Sequence, residues 1–171
     1  DESVAPGLDP KLALQRKRLR ARSVFELGDS ETALKLIKSD NDRDADLLRA
    51  NIFWRTRDWV SAGKVFERLI GNAGRDGRRI NDLSAALILN WVVALSMSEQ
   101  VDALNKVRQI YSTQMDMTEY RDAFRLITNK TEGDVQDFRT LTERFKEIGR
   151  FQAFLTTYRE KLKTKLLSEM N

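Results

Sequence analysis

Residues 21–66, ARSVFELGDSETALKLIKSDNDRDADLLRANIFWRTRDWVSAGKVF, carry one pattern twice. Ala21, Phe25, Asp29, Ala33 and Ile37 are followed 29 residues later by Ala50, Trp54, Asp58, Ala62 and Phe66. Each set runs small, aromatic, acidic, alanine, large apolar, with neighbours four positions apart. Side chains four apart lie on one face of a helix, so each copy reads as two helices joined at the acid. A third copy follows 41 residues on as Trp91, Leu95, Glu99, Ala103 and Val107, and the Gly-rich insert 71–77 accounts for its longer period. Repeats of this length point to helical hairpins stacked side by side. No strand-like alternation appears anywhere in the chain, so the expected fold is all-α.

At 171 residues the chain is long enough to bury roughly 70% of its unfolded surface in one domain. Hydrophobic residues make up 41% and charged residues 33%, a balance suited to a helical domain facing water. The longest apolar run, 87–95, is interrupted by Asn90 and is far short of a bilayer span. The sequence contains neither Cys nor His. That removes disulfides, thiolate and imidazole nucleophiles, the usual general base near neutral pH, and nearly every zinc or haem site. Glu143 and Glu147 share a helix face without a partner motif, so no enzyme activity and no cofactor are expected. The net charge of +4 matters only where it clusters. A start without Met or an apolar leader suggests an excised part of a longer parent chain, and the compartment is left open.

Residues 1–8, with Pro6 and Gly7, read as an arm or linker end. Asp9 before Pro10 caps a first helix running to about Leu27, with Leu12, Leu19, Val24 and Leu27 at helical spacing and Arg16, Lys17, Arg18, Arg20 and Arg22 on the other faces. Gly28 turns the chain into a second helix, 30–38. The next hairpin spans about 45–56 and 59–70. A very apolar fifth helix, 83–97, is expected to be central, with Asn90 in need of a hydrogen-bond partner. Its mate, 99–111, would face inward through Val101, Leu104, Val107 and Ile110. Met115 and Met117 fall in a connector, Thr118 caps a seventh helix, 119–129, and two more amphipathic helices follow from Asp134 and Phe151. The expectation is about nine helices in a single domain over 9–171. Its repeat units are about 11–38, 44–71 and 82–112, with capping helices over 118–171.

Two loops have the look of ligand sites. Asp40, Asp42, Asp44 and Asp46 alternate like a calcium loop, yet Ala45 and Asn51 stand where glycine and a bidentate Glu belong, so the loop is expected to be solvated, its last acids capping the next helix. Gly71, Gly74 and Gly77 with Arg75, Arg78 and Arg79 suggest a phosphate cradle. Without a preceding strand or the Gly-Lys-Ser/Thr ending of a Walker loop, they read as a flexible loop whose arginines could meet an anion.

Leu27-Gly28-Asp29 with Ala33-Leu34, and Arg57-Asp58-Trp59 with Ala62, resemble the turn and second helix of tetratricopeptide repeats over about 11–111. Stretches 123–128 and 151–155 look like the C-terminal end of large bacterial repeat proteins, a likeness that implies architecture and no activity. The resemblance implies a right-handed superhelical stack whose concave groove is lined by the first helix of each pair. That groove would show Arg18, Arg22 and Phe25, then Leu47, Asn51, Trp54 and Arg55, then Ile88 and Val92. Similarity to domains of this family that grip a peptide carboxylate lies in Arg18, Arg22 and Asn51, while Ala85 and Ile88 occupy the third repeat's basic slots. The expectation is a non-catalytic interaction or scaffolding module whose partner is a protein, possessing no membrane span and binding an extended acidic and hydrophobic segment. The alternative is anion or nucleic-acid binding through clusters 16–22 and 75–79.

Overall fold

The computed structural model describes residues 10–128 of the chain. These form seven α-helices, and no strand occurs among them. In chain order they are α1 (Pro10–Glu26), α2 (Ser30–Leu36), α3 (Arg43–Arg55), α4 (Trp59–Ile70), α5 (Asp82–Met97), α6 (Val101–Met115) and α7 (Arg121–Thr128). The arm and the eighth and ninth helices expected from sequence lie outside the described residues. No helix among those described is long and apolar enough to cross a membrane.

The hairpins α1/α2, α3/α4 and α5/α6 are made by one turn built three times. At the first, Gly28 N–H donates to the Phe25 carbonyl and Asp29 N–H to that of Val24, while Gly28 sits at φ +99°. This is the paired-bond glycine ending that satisfies the last carbonyls of a helix. At the second, Arg57 N–H reaches Trp54 and Asp58 N–H reaches Phe53, with Arg57 at φ +60°. At the third, Glu99 N–H reaches Ser96 and Gln100 N–H reaches Leu95, with Glu99 at φ +56°. The residue that closes each first helix also opens the next. Asp29 accepts from Thr32 N–H and Asp58 from Ser61 N–H, whereas Gln100 makes no side-chain cap bond.

The third turn corrects the repeat register. The sequence pattern aligns Glu99 with Asp29 and Asp58, but it occupies the left-handed position of Gly28 and Arg57, and the capping position falls on Gln100. The turn-to-turn offset is therefore 42 residues, from Arg57 to Glu99.

The repeated apolar positions are where the core begins. Ala21, Phe25, Ala33, Ile37, Leu48 and Ile52 form one buried cluster between α1, α2 and α3. Ala50, Ala62 and Phe66 are buried in the second hairpin, and Trp54 meets Trp59 and Phe66 edge to face with ring centroids 5.2 and 5.8 Å apart. The most extensive helix contact joins α4 to α5. There Gly63 faces Leu95, Ala94 and Trp91, and a Cβ added to it would stand 3.8 Å from the nearest of them. Every side chain from 85 to 95 is buried, as an apolar helix covered on all sides requires. Asn90 finds its partner within its own helix, donating to the Ala86 carbonyl at 2.7 Å. Helix α7 closes α5 and α6 with Phe124 and Ile127.

Helical spacing does not by itself orient α1: Leu12, Leu19 and Leu27 are 41%, 55% and 87% exposed, because α1 turns Ala21 and Phe25 inward instead. With 17 residues against seven in α2, α1 also outruns its mate by roughly 15 Å at 1.5 Å per residue. Val101 and Ile110 are exposed. Met115 belongs to the buried end of α6, which extends four residues past the expected Tyr111.

Candidate functional site

The acidic loop between α2 and α3 is clamped. Arg18, from α1, donates through Nε to Asp40 at 2.6 Å, through one terminal nitrogen to Asp42, and through the other to Asp44 at 3.3 Å. Asp40 is only 4% exposed. Burial lowers the Arg18 pKa, but Asp40 and then Asp42 outweigh it, and the net direction is upward. Arg49, from α3, donates to the carbonyls of Ile37 and Asp40, supplying the partners that the end of α2 lacks. It also reaches Asp46 at 2.8 Å, and Arg68 from α4 meets the same carboxylate through two bonds of 3.1 and 2.8 Å. Burial pushes the Asp46 carboxyl up, yet Arg68 and Arg49 overcome it and hold it below its ordinary value. Arg43 caps α4 through the Leu69 carbonyl at 2.7 Å.

The solvated-loop expectation is thereby corrected: Asp40 and Asp46 are buried, and Asp42 stands at the start of α3 without a side-chain cap bond. The oxygens that looked like cation ligands face guanidinium groups. Nothing in residue spacing could have shown this, since Arg18 lies 22 residues before Asp40.

The expected groove residues divide into core and surface. Phe25 and Asn51 are 4% and 8% exposed, Ile88 and Val92 are fully buried, and Arg18 is held by the three aspartates. Asn51 is therefore placed in the packing of α3, and the third-repeat contribution closes inside α5. At the surface stand Arg55, half-buried Trp54 and half-buried Arg22. Arg55 joins α3 to α1 twice, stacking its guanidinium 4.6 Å from the centre of the Phe25 ring and pairing with Glu26 at 3.0 Å. The structure thus unites Phe25 with Arg55 where α1 and α3 lie together, while Trp54 packs against Trp59 and Phe66 of α4.

The loop 71–81 is tied to α6 rather than loose. Gln114 donates to the Gly74 carbonyl at 3.0 Å, and Gly74 is buried against Ile80, Tyr111 and Gln114. Its glycines adopt positive φ, as a cradle would. The amides of Gly71 and Ala73, however, donate to the α4 carbonyls of Glu67 and Ile70, those of Arg75 and Gly77 to the carbonyls of Asn72 and Gly74, and that of Arg78 to Asp76. Amides already spent in turns do not converge on an anion. Arg75, Arg78 and Arg79 are exposed, and Arg78 pairs with Asp76. Tyr111 Oη and Gln114 Oε1 are buried beneath this loop without a protein partner.

Compared with protein-family models, with curated proteins and with solved structures, the chain matches none of them.

Proposed function

We propose that this chain is a non-catalytic protein-interaction or scaffolding module, a right-handed superhelical stack of tetratricopeptide-like hairpins with about nine helices. The observation that carries the reading is the hairpin turn built three times at Gly28, Arg57 and Glu99. Stacked hairpins present the first helix of each pair along one face, and α1 lies against α3. The partner is an extended segment bearing acidic and hydrophobic residues. Arg22 and Arg55 would meet its carboxylates, and the edge of Trp54 with the stem of Arg55 would form the apolar floor. Glu26 already engages Arg55, so a carboxylate of the ligand would share or replace an existing pair.

The test is a titration of the full chain with acidic, leucine-containing peptides at low and high salt. Capture that persists at high salt and disappears in the Arg22→Ala/Arg55→Ala variant, whose helical circular dichroism shows it still folded, supports the reading. Loss of affinity for all peptides on raising salt, with duplex DNA bound instead, would replace it by polyanion binding.

A further inference from the structure

We propose that loop 71–81 is held to α6 through a buried water-binding site between Tyr111 and Gln114. Two polar atoms point to it. Tyr111 Oη and Gln114 Oε1 are buried and have no hydrogen-bond partner among the described residues. Tyr111 is fully buried and Gln114 is 8% exposed, so bulk solvent does not serve them. The two residues stand three apart on α6 and therefore share one face of that helix. The site involves α5, α6 and the loop, and goes beyond the peptide reading, which uses α1 and α3.

Both side chains converge on Gly74. A Cβ there would meet Tyr111 Cε1 at 3.5 Å and Gln114 Cγ at 3.7 Å, and Gln114 Nε2 donates to the Gly74 carbonyl at 3.0 Å. That bond fixes which way round the amide sits, because turning it over would set its oxygen against the carbonyl. Oε1 is thus the end left over, an acceptor in need of a donor. The phenol is held as well. Its ring packs edge-on against Trp91 of α5, with centroids 6.4 Å apart, and that packing keeps the hydroxyl inside.

The chemistry of the pair selects the occupant. Gln114 Oε1 can only accept, so the occupant must donate to it, whereas the phenol can donate or accept. An anion fails at Oε1. A metal ion or an ammonium group would bring a charge that needs a carboxylate, and the side chains gathered at Gly74, which are Ile80, Tyr111 and Gln114, carry none. A larger ligand reaching atoms this deep would have to open the loop and give up the Gln114 bond to Gly74. Water donates and accepts through one heavy atom, and buried waters take up polar groups of this kind. One carboxamide then holds the loop by its nitrogen and the water by its oxygen, and the two bonds strengthen each other.

The test uses the full chain. Unfolding curves are measured for the parent, Tyr111→Phe, Gln114→Met and the double variant, and a high-resolution crystal structure is determined for the parent. A phenol bonded to a held water should lose stability on Tyr111→Phe, the folding constant falling about fivefold. The same change should do much less in the Gln114→Met background, because one water joins the two sites. An orphaned hydroxyl behaves in the opposite way, since its removal leaves stability unchanged or raises it. The crystal structure should show one ordered water within hydrogen-bond distance of both atoms, a result that stands even if Gln114→Met fails to fold. A neutral or stabilising Tyr111→Phe, equal effects in the two backgrounds, or a crystal structure in which Tyr111 Oη bonds directly to Gln114 or to another protein group would overturn the proposal.

Discussion

The chain has two charged loops of opposite sign, and each resembles a ligand site in sequence. They end up in different physical situations. The acidic loop after α2 is covered, its carboxylates held by arginines from α1, α3 and α4. The basic loop after α4 keeps its arginines outward and is anchored through its backbone, where Gln114 reaches the Gly74 carbonyl. A run of like charges thus carries no information about its own solvation. What decides it is whether countercharges arrive from helices far away in sequence, as Arg18 does. The acidic loop is part of the framework, and the basic loop is framework at Gly74 and open surface at its arginines.

The largest effect should come from removing the clamp. Arg18→Ala leaves Asp40 buried at 4% exposure without its main partner, at a cost of about 3 kcal/mol. The denaturant midpoint should fall accordingly. Asp40→Ala combined with it should cost less than the sum of the two, because the pair is one interaction. A fall no larger than that of an ordinary surface substitution would erase the contrast between the loops.

In the basic loop the sensitive point is backbone. Gly74→Ala introduces a side chain at φ +72° whose Cβ would stand 2.5 Å from Ile80 Cγ2, and should cost about 2 kcal/mol by the same midpoint measurement.

The hairpin turns calibrate that backbone term without any clash. Arg57→Gly and Glu99→Gly each relieve a non-glycine residue at positive φ and should gain about 1 kcal/mol. Gly28→Ala, where nothing lies within 4 Å of the new Cβ, should lose a similar amount, about 1 kcal/mol.

Acid should act on the clamped loop. The carboxyl of Asp46 lies lower in the folded chain than its ordinary value of 3.8. Its contribution is therefore complete above that value and is lost as pH falls through the lower folded one. Stability against pH should decline in that acid range, and Asp46→Asn should flatten its share of the slope.

The smallest effect belongs to the exposed arginines of the basic loop. Arg75→Ala and Arg79→Ala should each change stability by less than about 0.5 kcal/mol, read by the same unfolding curves. A larger loss would mean that those side chains are as structural as Arg18.

Much of the hairpin framework could be read from Asp29 and Asp58, which do cap their helices, and from Ala33, Ala62 and Phe66, which do enter the core. Periodicity and capping are local, and local signals survive in a single sequence. The third turn was misplaced by one residue because Glu99 shares the acidity of Asp58. The position that defines the turn is a backbone angle, and Gly28, Arg57 and Glu99 share no side-chain chemistry. The exposure of Leu12 and Leu19 was not legible because helical spacing identifies a face without saying which side is covered. The clamp of Arg18 and Arg49 was invisible for the plain reason that ion pairs between distant helices obey no spacing. The placement of Asn51 in the packing of α3, rather than at an open groove, follows from the same nonlocal closeness.

In each hairpin turn one residue ends the first helix and starts the second, as Asp29 does for α1 and α2. No spare backbone remains there to absorb a change of angle. A change of shape among the described helices would therefore swing each hairpin as a stiff lever, with any hinge between levers. The junction after α2 is locked by guanidinium groups. The longer junction at 71–81 is bridged by the packing of α4 on α5 and pinned to α6 at Gly74, so among the described helices the levers are held to one another by side chains rather than by the chain that links them.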